Sequence, residues 1–535
     1  MKFKLTLSVI AISILVAINA PARNSVLTSV SNANPRSGHP DTQLAKGFEL
    51  VKIAEGSDPI ENPSGVITNF GLLNDFPPQA IERTRTEPDE NTYIVFDSNP
   101  GGPAPDFDYG RHFLYQGHEN ANNLAYITRI NLDVEDPLHR ITLLTPTNAA
   151  GKTGFNSIDG STWDPFTRTL LFAQEAGFPT GGVIEVTPDW PPTATRMDGI
   201  IGSSSYEGVH PDKNGNILLV EDSGGTSVNV IRGDSTSPVA ARQPNSFIYL
   251  FVPNDRHNLS KGGRLLAMQV QIGRKPLTFH SNDAVGDVFA DEQLKLYSPG
   301  TLWPFGWVTL HDTDVDGTAP FNANVLAKAF GATPFKRPEN AAFQPGSDFT
   351  TFFFTATGDT NANSGNQPEL AARGAWGAIF RVDLTSPRLS GGFISLAFLG
   401  DRDHAAFDNL AFADPDTLIV AEDRGDTLHR QLNILDSAWA YTVPSSRVGQ
   451  SPARRLIALG RDTESEVDAG LLDAGTSGFQ NDGDNEVTGV HVSDGANSTD
   501  RLVGNILNVV ETRWFFTQQH GKNTVYQIIQ TSKVP

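Results

Sequence analysis

One phrase recurs along this chain and narrows its fold more than any other feature: an acid near the head of a short strand, a tight polar turn, and a second strand closing on acids. The clearest copy is Tyr206-Glu207-Gly208-Val209-His210-Pro211-Asp212, the turn Lys213-Asn214-Gly215-Asn216, then Ile217-Leu218-Leu219-Val220-Glu221-Asp222. Its Asn-Gly pair supplies the left-handed conformations that hairpin turns prefer. Phe407-Asp408-Asn409, through Asp414-Pro415, leads to Leu418-Ile419-Val420-Ala421-Glu422-Asp423 at the same interval. Arg337-Pro338-Glu339-Asn340 precedes a strand over 351–356, and Ile158-Asp159-Gly160 precedes one that closes on Gln174-Glu175. Glu486-Val487-Thr488-Gly489 precedes Trp514-Phe515-Phe516-Thr517 and then Gln519-His520-Gly521, while Arg111 to Asn120, carrying Glu119, is an opening half-copy. Hairpins spread irregularly over a whole chain predict an all-β fold, a ring of hairpin units closed into a β-propeller with long inter-blade insertions.

The stretches at 181–186, 247–251, 377–384 and 523–528 each follow the second strand of a repeat and read as the next strand of a blade. Short helices are predicted at 287–296 and 325–330, inside an insertion around 255–333 between the copies at Glu207 and Glu339. That insertion also holds His311-Asp312-Thr313-Asp314-Val315-Asp316-Gly317, a calcium-loop phrase whose twelfth position, counted from Asp312, is Ala323 rather than glutamate. A calcium loop and a polar turn both fit it.

Lys2 and Lys4 ahead of an apolar run from Leu5 to Val16, and then Ala20-Pro21-Ala22, predict a cleaved leader over 1–22 and an exported protein, periplasmic or extracellular. Residues 23–47 read as a flexible lead-in and 48–535 as a single propeller domain. The 535 residues contain no cysteine, so disulfides, thiolate ligands and thiol nucleophiles are excluded. A formal net charge of -21 argues against nucleic acid as a partner, and no stretch beyond the leader approaches a membrane span. A monomer is expected.

In a propeller the inner strands end around one channel, so acids at equivalent positions converge there. Uncompensated carboxylates a few ångströms apart repel strongly, and bound hard cations such as calcium resolve that repulsion. The candidate metal ligands are Glu119, Glu175, Glu207, Glu339, Asp408, Glu422 and Glu486, with Asp159, Glu221, Asp222, Asp423 and His520 behind them. Arg337 stands two residues before Glu339, which on a strand gives both the same face. A guanidinium beside cations clamps a phosphate or carboxylate; a salt bridge to a channel acid is the alternative.

On the phrases Phe335-Lys336-Arg337-Pro338-Glu339-Asn340-Ala341-Ala342-Phe343, Phe407-Asp408-Asn409-Leu410-Ala411-Phe412 through Glu422-Asp423, and Glu486-Val487-Thr488-Gly489, the chain resembles the PhoX-type alkaline phosphatases, grouped with the domain of unknown function 839. The resemblance runs from about 70 to 530. It implies a six-bladed propeller with calcium and iron in its channel, hydrolysing phosphate monoesters. By that likeness Glu207 is a metal ligand, Arg337 and Glu339 are the catalytic pair of an Arg-x-Glu phosphate clamp, and Glu175 is the acid of a Cys-Glu-Glu strand end. Where the family has that cysteine this chain reads Ala173-Gln174-Glu175, which removes the thiolate ligand of iron and leaves calcium as the expected cofactor.

The function expected from all this is a secreted phosphoester hydrolase in which metal-activated water attacks a small phosphorylated substrate held by Arg337. A non-catalytic, calcium-stabilised binding propeller and a metal-dependent lactonase are the alternatives.

Overall fold

The computed structural model describes residues 42–71, 86–120, 123–385, 390–432, 434–443, 453–460, 486–499, 512–519 and 523–531. The leader at 1–22 and His520 lie outside these residues. The hairpins read from the sequence form. Tyr206–Pro211 pairs antiparallel with Ile217–Glu221 through a turn in which Gly215 takes a φ of 82°, and Phe407–Asp414 pairs likewise with Thr417–Glu422.

Four sheets have the form of propeller blades. Glu87–Val95, His112–Glu119, Tyr126–Asn131 and Ile141–Leu143 make the first; Ile158–Asp164, Thr169–Gln174, Gly182–Val186 and Ala194–Arg196 make the second. Phe407–Asp414, Thr417–Glu422, Ser437–Thr442 and Ala453–Ala458 make the third, with Gln43–Leu44 added at its outer edge, so the chain joins the sheets earlier than the expected start at 48. Glu486–Ser493, Arg513–Gln519 and Thr524–Gln530 make the fourth, completed by Phe48–Ala54 from the other end of the chain.

Six separate blades do not form. Apart from the separate pair Ser227–Asn229 and Val239–Arg242, the remaining strands belong to one continuous ten-stranded sheet that starts at Tyr206–Pro211, passes through Ile217–Glu221, Ile248–Pro253 and Gly263–Ile272, and returns through Gly392–Leu399, Ala378–Leu384 and Thr351–Ala356 to Pro338–Phe343. Trp303–Asp312 is the joint. It lies along Gly263–Ile272, and at its start Trp303, Pro304 and Phe305 pair with Ile394, Phe393 and Gly392. An insertion strand with two free edges has satisfied the backbone groups of both neighbours. The sheet then curls until its end strands, Tyr206–Pro211 and Pro338–Phe343, pack face to face as a nearly closed barrel.

The first strands of all these hairpins stand in a ring. Glu87–Val95 packs on Ile158–Asp164, and Tyr206–Pro211, Pro338–Phe343, Phe407–Asp414 and Glu486–Ser493 follow in order, the last packing back on Glu87–Val95. Apolar layers fill the space between adjacent sheets, with Phe113, Phe172 and Ile184 between the first two and Ala421, Ile457, Val487 and Phe516 between the last two. Each of the larger of these, the phenylalanines, isoleucines and Val487, contributes about 1.5–3 kcal/mol.

The insertion is less of an excursion than the sequence suggests, since Gly263–Ile272 and Trp303–Asp312 belong to the large sheet. Its helices are Ala284–Val288, Asp291–Leu296, Thr313–Asp316 and Ala323–Ala329. The calcium-loop phrase is a self-capped turn: Asp312 Oδ1 accepts from Asp314 N at 3.0 Å, and Asp316 Oδ2 accepts from Asp312 N at 2.9 Å. Among the described residues no helix is long and apolar enough to cross a membrane.

Candidate metal centre

Each strand of the inner ring is interrupted near its start by a β-bulge, where two residues oppose one on the partner strand. The first of the two is Asp89, Asp159, Glu207, Glu339 and Asp408 in five of the strands, and Gly489 in the sixth. The bulge re-aims its side chain, so one local irregularity repeated round the ring gathers acids from strands far apart in sequence. Gly489 has no room for an acid: its φ is 59°, and a Cβ there would lie 2.6 Å from Asp89 O.

Three groups of carboxylates converge to within 4.8 Å and share corners: Asp89, Glu119 and Asp159; Asp159, Glu175 and Glu207; Glu207, Asp222 and Glu339. Asp89, Asp159, Glu207, Asp222 and Glu339 are buried, and Glu119 and Glu175 are partly exposed. Burial first, and then mutual repulsion, push Asp89 up to about 7 and Glu339 to about 8, and hold Glu119, Asp159, Glu175 and Glu207 well above the usual carboxylate range. Carboxylates whose ionisation is opposed by burial and by one another form a site that bound cations would let ionise.

Arg337 enters from the edge of the ring. It precedes Pro338–Phe343 with a φ of 50°, a left-handed conformation uncommon for a residue with a side chain. Its Nε donates to Asp222 Oδ2 at 2.8 Å, Nη2 reaches the same oxygen at 2.6 Å, and Nη2 stands 3.5 Å from Glu339 Oε1. Thr357 Oγ1 donates to Glu339 Oε1 at 2.5 Å. The other oxygen of Asp222, Oδ1, is buried with no hydrogen-bond partner. An orphaned carboxylate oxygen inside a group of three acids fits a bound cation.

Asp408 and Glu486 face one another across a shared hydrogen bond, both raised by burial and by Asp423, on the part of the ring beyond the three groups. Glu486 stands three residues before the bulge of its strand and not in it, so it is not the counterpart of Asp408 that the repeat implies. Glu422 is turned away from the other acids. Its oxygens accept from Arg424 Nη2 at 2.8 Å, Arg424 Nε at 3.2 Å, Ala405 N at 2.9 Å and Ser437 N at 3.1 Å, all in the protein interior. Glu221, its counterpart opposite Tyr206, is likewise consumed by Phe247 N at 3.0 Å, Tyr249 Oη at 2.8 Å and Asn324 Nδ2 at 2.8 Å. The neighbours Asp222 and Asp423, one residue further on and facing the other way, are the ones that act on the ring.

Asp89 escaped the sequence reading. Glu87-Pro88-Asp89-Glu90-Asn91 looks like a polar loop, yet it opens a buried strand, and its only outward sign is a cluster of acids one strand before Glu119.

Residues 240–498 match the family profile described as alkaline phosphatase PhoX. That stretch belongs to the PhoX-type family. No curated protein matches the chain. Among solved structures, Pseudomonas fluorescens PhoX in complex with vanadate, a transition state analogue, superposes with a TM-score of 0.55 at 12% identity, over 94% of this chain and 98% of that one. A Trichoderma reesei carbohydrate-active enzyme of family AA12 is 8% identical over 94% of this chain and all of its own, but its TM-score of 0.33 carries no weight. The chain lacks that family's iron-ligand cysteine, and the donors of its three acid groups are carboxylate oxygens alone. Such donors suit hard divalent ions and do not fit a thiolate-bound iron.

Proposed function

We propose that this PhoX-type protein is an exported, metal-dependent phosphoester hydrolase acting on small phosphate monoesters, with calcium as its resident cation. One observation carries the reading: Asp222 gives one oxygen to Arg337 and leaves the other free inside the Glu207, Asp222 and Glu339 group. The cation-binding carboxylate and the anion-binding guanidinium are thereby locked side by side. Divalent ions held there would neutralise the acids and supply Lewis-acid activation of a phosphoryl oxygen and of water.

The chain's own residues divide the remaining tasks. Arg337, its Nε and Nη2 edge held by Asp222, offers the Nη1 side of its guanidinium to the phosphoryl group, pre-aimed by that contact and by its left-handed backbone, so little freedom is lost on binding. Thr357 fixes the rotamer of Glu339. The buried ring walls keep bulk water from the acids and strengthen every charge interaction within. Export is supported by the basic, apolar and small-residue pattern of residues 1–22, and calcium by the all-oxygen donors.

The test is p-nitrophenyl phosphate hydrolysis at alkaline pH, with metal content measured on the same sample before chelation, after it, and after calcium return. Turnover should vanish and return, and Arg337→Ala should raise KM by about tenfold or more. A second reading, a cation-stabilised binding module without catalysis, is favoured by the missing cysteine. A calcium-loaded protein with no turnover would select it.

A further inference from the structure

Beyond the bulges, the inner ring encloses a second space, a cavity of ≈ 120 Å³ that includes none of the three acid groups in its lining. Most of its wall is apolar, with Phe343, Phe412 and Val490 among the lining side chains, and its polar groups come from Glu90, Asn91, Ser161, Thr162 and two imidazoles, His210 and His491. Burial depresses both histidines to about 4, and a charge on His210 would lower His491 further, so both rings are neutral at ordinary pH.

Their tautomers follow from their partners. Asn340 Oδ1 accepts from Ala341 N at 2.6 Å, which fixes it as the oxygen, so His210 Nε2, 2.7 Å away, must carry a proton and donate. His210 Nδ1 is therefore a bare acceptor. Tyr93 N donates to His491 Nε2 at 3.2 Å, which places the proton of that ring on Nδ1 as a donor. Neither Nδ1 has a protein partner among the described residues. The two rings thus bring one bare acceptor and one donor to the lining, where Asn91 Oδ1 is a further buried oxygen without a hydrogen-bond partner, and among the described residues the ionisable groups of the lining are Glu90 and these two histidines. With no lysine or arginine to neutralise it, a carboxylate or phosphate finds no counter-charge here.

We propose that this cavity binds a small neutral hydroxyl compound, a phenol or short alcohol, independently of the acid site. Its hydroxyl can both donate to His210 Nδ1 and accept from His491 Nδ1–H, while its ring or chain covers Phe343, Phe412 and Val490. An apolar cavity of comparable size holds one benzene ring.

The test is saturation-transfer NMR on the full metal-loaded protein with phenol, benzene and benzoate as probes. Phenol should bind saturably with a Kd of about 1 mM, benzene several-fold more weakly, and benzoate not at all. His491→Phe, which keeps the ring but removes the donor, should erase the preference for phenol over benzene, and Val490→Phe, which fills the space, should abolish binding of both. Should Val490→Phe fail to fold, Ala342→Leu takes its place. Absence of saturable phenol binding, binding unchanged in the filled variant, or benzoate binding as well as phenol would each overturn the proposal.

Discussion

Arg337 and Asp222, 115 residues apart, meet through a single oxygen: Asp222 Oδ2 takes both Nε and Nη2 of the guanidinium, and Oδ1 is left buried and bare. A carboxylate split in this way transmits charge in both directions. A cation at Oδ1 and the guanidinium at Oδ2 share one negative charge, so each weakens the carboxylate's hold on the other. Asp222→Asn keeps the shape and removes the charge, so divalent-cation affinity should fall by about tenfold or more, read by calorimetric titration. Unchanged affinity would mean that the bare oxygen marks no ligand.

Stability of the chelated protein should fall as pH rises. Asp89 titrates at about 7 and Glu90 and Glu339 at about 8 in the fold, all above their unfolded values near 4. Groups raised in this sense bind more protons folded than unfolded, so their contribution is complete below the unfolded values and lost as pH passes through the folded ones. Thermal melts of chelated protein from pH 5 to 9 should show Tm declining, with added calcium restoring it most at the alkaline end. A Tm that rises over that window would contradict the crowding of the acids.

Gly160→Ala tests the packing that brings adjacent bulges together. A Cβ at that position would stand 1.6 Å from Glu207 O, a backbone atom that cannot swing aside. The two inner strands must separate, at a cost of about 3 kcal/mol and with Asp159 drawn away from Glu207. Denaturant melts and cation titration should both register the change.

Glu422 and Arg424 form a buried ion pair with no exposed side-chain surface on either partner. Removing one partner strands the other, so Arg424→Met should destabilise the fold by about 3–5 kcal/mol. The number of cations bound by the protein that remains folded should not change, and its loss would return Glu422 to the list of ligands.

The repeat itself was legible because Asn-Gly turns and paired apolar runs are local signals, and Glu207, Glu339 and Glu175 followed from it. What the sequence could not convey is strand parity. Glu422 and Asp423 are adjacent and face opposite ways; nothing in their order distinguishes the interior carboxylate from the one that acts on Glu486. Asp89 was hidden for a related reason, because Pro88 and three acids resemble a loop until the neighbouring strands that bury them are in place. The merging of two expected blades was invisible too: Trp303-Pro304-Phe305-Gly306 gives no hint that its pairing partner is Gly392–Leu399, nearly ninety positions away.

Phe48–Ala54 completes the sheet built from Glu486–Ser493, Arg513–Gln519 and Thr524–Gln530, and that sheet flanks the strand bearing Asp89. Asp89 is itself held by Gln519 Nε2 at 2.7 Å. The ring of acids therefore has a latch, and the latch is made from the two ends of the chain. With that sheet open, the mutual repulsion of these carboxylates can be relieved by spreading apart into water, so closure of the circle and capture of a cation favour one another.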